Sequence, residues 1–416
     1  MGVIMNSGKF EAVRADTSNP RWDSFIRREK GLYARQGDIR SEFARDYGRI
    51  LHCTAYRRLK HKTQVFFATR NDHVCTRIEH VNHVQSASYT IAKELGLNTE
   101  LTNAIAIGHD LGHAPFGHEG ETILANIAEE QLCERFWHER NGLNFVDKVE
   151  TLPDPQGAEQ NLNLTYAVRD GIICHCGEVD DAALVPREAM IDLGGIRKVS
   201  EYAPFTWEGC VVKIADKISF LGRDIEDAMR LRLLTLDDLP SREVAELVAS
   251  ARRIDPDLNL QNLNTTVLMH RFIINLCEES DPAVGLRLSQ PYFQLMKQVK
   301  AFSNEHIYKN PALGYFKNYA RLILISIFEE LERHYHGKNT LDALQETGYS
   351  TLVETFSDWL VKLSDVDLDT KAKKRYLNDV VYKLDNREDY VRAIIDYISG
   401  MTDSYAIKIF GDLTAF

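Results

Sequence analysis

Helical periodicity fills this chain and leaves almost nothing from which to build a sheet. In "RIEHVNHVQSASYTIAKELG" the residues His80, Val84, Ala87, Ile91 and Leu95 recur at spacings of four, three, four and four. That is one face of an α-helix, and Gly96 supplies its stop. "NTELTNAIAIGHD" predicts a second helix, capped by Asn98, with Leu101, Ala104, Ile105 and Gly108 inward. "FTWEGCVVKIADKISFLGRDIEDAMRLR" predicts a third. From Leu263 onward come further amphipathic segments, notably "YARLILISIFEELERHY", "LVETFSDWLVKL" and "YVRAIIDYISGM". Strand signal is confined to "TQVFFATRNDHVCT", a candidate hairpin turning at "RND". "TLPDPQGAEQNLNLT" reads as a loop, and "LTLDDLPSRE" as a boundary. The expected fold is therefore all-α: a helical core with an extended C-terminal helical region and one small β-hairpin. Its parts are an N-terminal helical segment (1–50), a core (51–234) and a C-terminal region (235–416) packed on that core.

Composition narrows the function. No run of 18 apolar residues exists to span a membrane, and the N-terminus is too polar for a signal-peptide core. Seven cysteines, scattered and odd in number, suit a reducing cytoplasm rather than a disulfide framework. A formal net charge of −11 argues against a protein coated in nucleic acid, but allows a basic pocket inside an acidic shell. The densest basic stretches are "YRRLKHK" (Tyr56 to Lys62) and "KAKKR" (Lys371 to Arg375). The first suits an anionic substrate; the second reads as a solvated helix face.

The chemistry concentrates in "IAIGHDLGHAPFGHEGE". His109 and Asp110 end an apolar helix just before Leu111–Gly112, where imidazole and carboxylate can approach one ion. His80, on the apolar face of its own helix, points inward. Asp216, in "VVKIADKISF", sits where an unpaired carboxylate would be costly to bury. Its bland alternative is a salt bridge to Lys213 or Lys217. Two imidazoles and two carboxylates suit Mn²⁺, Fe²⁺, Zn²⁺ or Ni²⁺, and Mg²⁺ less well. His113 and His118 follow, with Pro115 and Gly117 shaping the turn between them. His175 in "CHCGE" lacks a second cysteine pair and reads as structural.

The order His80, His109–Asp110, Asp216 resembles the H…HD…D pattern of the HD-domain metal-dependent phosphohydrolases. The flanking text, "AYRRLKHKTQVF", "TRIEHVNHV", "HDLGHAPFGHEGE", "LTYAVRDGIICHCGE", "IADKISFLGRDIEDA" and "DYISGMTDSYA", resembles the deoxyguanosine triphosphate triphosphohydrolase-like family from about Tyr56 to Ala406. The resemblance implies cleavage of a dNTP between its 5′ oxygen and α-phosphorus, giving a deoxynucleoside and inorganic triphosphate. It implies one divalent metal ion, Mn²⁺ first, held by His80, His109, Asp110 and Asp216. It also implies a catalytic His118–Glu121 pair with His113 and His138 beside it. Arg58, Lys62, Arg77 and Lys217 are the expected phosphate contacts, the last two foremost. Gln64 and Asp224 match positions that meet the deoxyribose 3′-hydroxyl. Phe220 departs from the family, which has a tyrosine there, so the pocket lacks a hydroxyl. A homo-oligomer, often a hexamer, and a nucleotide or single-stranded DNA effector are further implications. The rivals are another HD-domain nucleotide phosphohydrolase and a weakly catalytic sensor of nucleotides or nucleic acid.

Overall fold

The chain's helices end where local chemistry ends them. The computed structural model describes residues 8–33, 37–66, 74–177, 183–234, 249–254, 256, 265–346, 350–366 and 375–415. Helix α1 is Glu42–His52, α2 Arg77–Leu95 and α3 Thr99–Gly108. The Asn98 side chain accepts from the backbone N–H groups of Glu100 and Leu101, as an N-cap should. Gly96 closes α2 at φ 80°, in the left-handed region that favours glycine. His80, Val84, Ala87, Ile91 and Leu95 are all buried, as their spacing requires.

Then come α4 (Gly117–Leu132), α5 (His138–Asn144), α6 (Tyr166–Cys174), α7 (Trp207–Phe220) and α8 (Arg223–Arg230). The third predicted helix is thus two, interrupted at Leu221–Gly222, beside the poorest helix former after proline. The C-terminal region supplies α9 (Thr265–Glu279), α10 (Gln290–Ser303), α11 (Leu313–Glu332), α12 (Ser350–Leu363), α13 (Arg387–Ser399) and α14 (Asp403–Thr414).

Helix α3 lies at the centre, packed against α1, α2, α6 and α7. Helix α9 covers α2 and α7, while α11 and α13 cover α4. One apolar core joins α1 and α3 to α11–α14; a second joins α2 and α7 to α9 and α10. The C-terminal helices therefore share both cores with the region that precedes them. The expected boundary at "LTLDDLPSRE" lies, apart from Leu234, outside the described residues, and so does most of "KAKKR".

A hairpin stands where the sequence reads as a loop. An antiparallel pair, β1 (Thr151–Pro153) and β2 (Glu159–Asn161), occupies the presumed loop, with Leu152 opposite Gln160. Asp154 Oδ1 accepts from the N–H groups of Gln156 and Ala158, and Gly157 takes φ +83°, so side-chain chemistry builds the turn. Strands this short carry no alternating pattern to detect. Thr63 and Thr76 do form an antiparallel bridge at the base of the predicted hairpin, but "RND" lies outside the described residues. Among the described residues, no helix is long and apolar enough to cross a membrane.

Candidate metal centre and adjoining cavity

Three helices deliver the four expected ligands to one buried spot. His80 comes from α2, His109 and Asp110 from the end of α3, and Asp216 from α7. One donor atom from each of His80, His109 and Asp110 lies within 4.8 Å of the others. Asp216 Oδ1 is 2.9 Å from His80 Nε2 and 3.8 Å from His109 Nε2. His109 Nδ1 donates to the Ala106 carbonyl at 2.6 Å, which leaves Nε2 as the lone-pair nitrogen. That atom is buried without a hydrogen-bond partner among the described residues, 3.3 Å from Asp110 Oδ1. An orphaned imidazole nitrogen facing two carboxylates and a second imidazole fits a divalent cation.

The surroundings keep both acids charged. Burial works to raise Asp110, but His109, His113 and Arg77 outweigh it and hold the carboxyl well below its usual range. Burial likewise opposes ionisation of Asp216, yet the bond to His80 lowers it. The alternative partners of Asp216 face elsewhere: Lys213 donates to the Cys174 and Cys176 carbonyls, Lys217 to that of Gly177.

The histidine loop follows directly. Gly112 is required here, because a Cβ would stand 2.0 Å from the His138 carbonyl oxygen and 2.1 Å from Gly142 N. Its absence lets α5 close against the loop, so that the His138 ring stacks on His113 with centroids 3.8 Å apart. His113 Nδ1 in turn lies 3.2 Å from Asp110 Oδ1. Glu121, expected to hold His118, pairs with it and, more closely, with His138. It accepts from the His138 backbone N–H at 2.9 Å and approaches Nδ1 at 3.1 Å, against 3.7 Å to His118 Nδ1. The reason is orientation: Glu121 turns inward on α4, whereas the His118 side chain is 72% exposed. Burial opposes charge on both partners, yet Glu139, Cys176 and Glu121 raise His138 well above its ordinary value. The same imidazole, with the bonds to both histidines, lowers Glu121.

Beside this centre opens a cavity of about 820 Å³. Gln64, His118, Phe220 and Asp224, from three separate stretches of sequence, line it together with Lys297, Lys300 and Tyr308. The Tyr308 hydroxyl donates to Asp224, whose burial raises its carboxyl; Gln64 Oε1 is buried without a hydrogen-bond partner among the described residues. A π-helical turn, Asn304–Tyr308, continues α10 and sets Tyr308 in this wall. Another cavity, of about 440 Å³, lies around Trp137, Arg140 and Arg392; His80, His109, Asp110 and Asp216 line neither.

The expected phosphate contacts are mostly struts. Arg77 is buried, with Nη1 donating to Asp110 at 2.8 Å and Nη2 to the Gln64 carbonyl at 3.1 Å. Arg58 donates to the Gly400 carbonyl and pairs with Glu150. Lys62 donates to the carbonyls of Ser399 and His113, and burial, with Arg58 nearby, pushes it down to about 7. The segment 399–403 thus absorbs two of these cations, and its Asp403 accepts from the N–H groups of Thr63 and Phe116. Lys297, Lys300 and Tyr308 escaped the sequence reading. Their only signal is a Lys-x-x-Lys spacing on one helix face, with nothing local to tie it to the site.

Comparison with known proteins agrees with this layout. The HD domain family matches residues 77–221, and the phosphohydrolase-associated domain matches residues 343–412. A deoxyguanosinetriphosphate triphosphohydrolase-like protein of Desulfatibacillum aliphaticivorans is 35% identical over 74% of this chain and 76% of its own length. Proteins of the same description from Caldanaerobacter subterraneus subsp. tengcongensis and Clostridium perfringens (strain 13 / Type A) are 33% and 30% identical. They cover 89% and 99% of this chain, and 84% and 98% of their own lengths.

Proposed function

Since this chain belongs to the deoxyguanosinetriphosphate triphosphohydrolase-like family of HD-domain phosphohydrolases, we propose that it hydrolyses deoxynucleoside triphosphates to deoxynucleoside and inorganic triphosphate. One observation carries the reading. Residues scattered from Gln64 to Tyr308 converge on a single cavity beside the metal centre, and two lysines reach into it from an otherwise acidic protein. Its volume is that of a small-molecule site.

His80, His109, Asp110 and Asp216 hold the metal, which when bound supplies Lewis-acid polarisation of a phosphate oxygen and a more acidic water. Lys297 and Lys300 meet the triphosphate. Asp224 and Gln64 face the sugar, and Asp224 is braced by Tyr308 from behind. The reaction breaks the bond between the 5′ oxygen and the α-phosphorus, so a proton must reach that oxygen. His118 is the candidate donor, because it alone of the loop histidines lines the cavity. His113, His138 and Glu121 form the buried relay that positions the loop behind it.

The test is a matrix of the four dNTPs against Mn²⁺, Fe²⁺, Zn²⁺, Ni²⁺ and Mg²⁺, with products separated by chromatography. Inorganic triphosphate is the expected product, and GTP should turn over far more slowly than dGTP. Orthophosphate as the sole phosphorus product, or no turnover with any pair, refutes the reading.

A further inference from the structure

Behind the catalytic centre lies a second set of metal-ligating atoms, of which hydrolysis uses only the His138 ring, and that ring through its other nitrogen. His138 on α5, with His175 and Cys176 just after α6, places one ring nitrogen of each histidine and the cysteine sulfur within 4.8 Å of one another. Hydrogen bonding selects the nitrogens. His138 Nδ1 faces the Glu121 carboxylate, and His175 Nδ1 donates to the Ile172 carbonyl at 2.7 Å. Both rings therefore turn Nε2 toward whatever lies between them, as imidazoles do when their other nitrogen is fixed by an outer acceptor.

His175 Nε2 is the telling atom. The residue is fully buried, and this nitrogen has no hydrogen-bond partner among the described residues. His138 Nε2 lies 3.4 Å from Cys176 Sγ. A tetrahedral ion with Zn–N near 2.0 Å and Zn–S near 2.3 Å would set those two atoms about 3.5 Å apart.

Charge and rigidity point the same way. Glu121 and Glu139 both approach His138 Nδ1, at 3.1 and 3.5 Å, and Glu139 Oε2 is buried without a hydrogen bond among the described residues. Two carboxylates against one imidazole favour positive charge there, which a proton supplies in the metal-free protein and a cation on the far nitrogen would supply in its place. The Cys176 backbone is already pinned, since its carbonyl accepts from Lys213 Nζ and from Ser200 Oγ.

We propose that His138, His175 and Cys176 form a second metal site, selective for Zn²⁺, that clamps the loop after α6 to α5. A thiolate with two imidazoles suits Zn²⁺, whereas the first centre, with two imidazoles and two carboxylates, accepts harder ions. Binding converts the Cys176 thiol to thiolate and the His138 imidazolium to imidazole, and releases both protons, from Sγ and Nε2, to solvent. The site is joined to the first centre through the His175 ring, whose centroid is 4.9 Å from that of His109. The proposal stands on these atoms whether or not dNTPs are the substrates.

The experiment loads the full chain with Zn²⁺ or Co²⁺, removes excess ion, and measures bound metal and the electronic spectrum. The expected result is about two zinc equivalents per chain and, with Co²⁺, a near-ultraviolet thiolate-to-cobalt charge-transfer band. Cys176→Ser should lose one equivalent and the band, and His175→Gln one equivalent. Cys174→Ser should keep both. Asp110→Ala should lose the other equivalent and keep the band, which separates this site from the hydrolytic one. Absence of the band in the unaltered Co²⁺ protein overturns the proposal without reliance on any variant. So does a zinc content that Cys176→Ser leaves unchanged.

Discussion

The candidate metal centre and the cavity beside it are built on opposite plans. The centre is closed: His80, His109 and Asp110 are nearly inaccessible, and even its cation, Arg77, is 1% exposed and committed to Asp110. The cavity is open, walled partly by lysines and by a histidine whose side chain is 72% exposed. A ligand set gains from rigidity, because every atom must be in place before the ion arrives. A substrate wall gains from groups that remain solvated until phosphate replaces water. Damage to the first region should therefore remove metal and stability together, and damage to the second should alter turnover alone.

The largest effect should come from Asp110→Ala. Metal should be lost, activity should fall to background, and Arg77 should be left buried without its carboxylate. Breaking a buried pair in this way costs about 3–5 kcal/mol. Metal analysis with denaturant unfolding checks both outcomes; full metal content at unchanged stability would break the contrast. His118→Ala comes next. It should lower kcat by roughly 10²- to 10⁴-fold, the range of a positioned acid or base, while metal content and unfolding midpoint stay put. Loss of metal here would make His118 a ligand and move it to the closed region.

Replacing Lys297 and Lys300 together by alanine should raise KM for dNTPs roughly tenfold or more, as charge-assisted contacts are removed, with metal retained. An unchanged KM would put the triphosphate elsewhere. The smallest effect concerns Lys62, a cation the fold has made a strut. Its value falls to about 7 from an ordinary 10.5, so between those limits the unfolded chain binds a proton that the folded chain does not. Stability should therefore rise with pH across that window by at most about 1.4 kcal/mol per unit. Lys62→Met should flatten this rise in unfolding measurements at pH 7 to 10.5; an identical slope would mean Lys62 stays charged.

The two regions differ as much in legibility. The helix carrying His80, its stop at Gly96 and the cap at Asn98 are all readable, because period and capping depend on residues within a turn or two of each other. The four candidate ligands are readable for a related reason. Two are adjacent, and the other two lie on helices whose apolar faces dictate which way they point. The β1–β2 hairpin escaped because three-residue strands have no period, and its turn rests on one Asp154 side chain.

What the sequence alone determined is thus the all-α architecture and the side chains able to bind a metal. Only the tertiary structure decided how the remaining charges are spent. Glu121 sits one turn from His118, yet it bonds to His138, 17 residues away, because Gly112 lets α5 approach on the inner side. Lys62 lies within a basic run that suits an anion, yet it is consumed by a carbonyl 337 residues distant, while Lys297 and Lys300 face the cavity instead. Local patterns encode which face of a helix is buried. Which partner waits there depends on how distant segments pack, since a buried polar group must be satisfied by whatever the fold brings within reach.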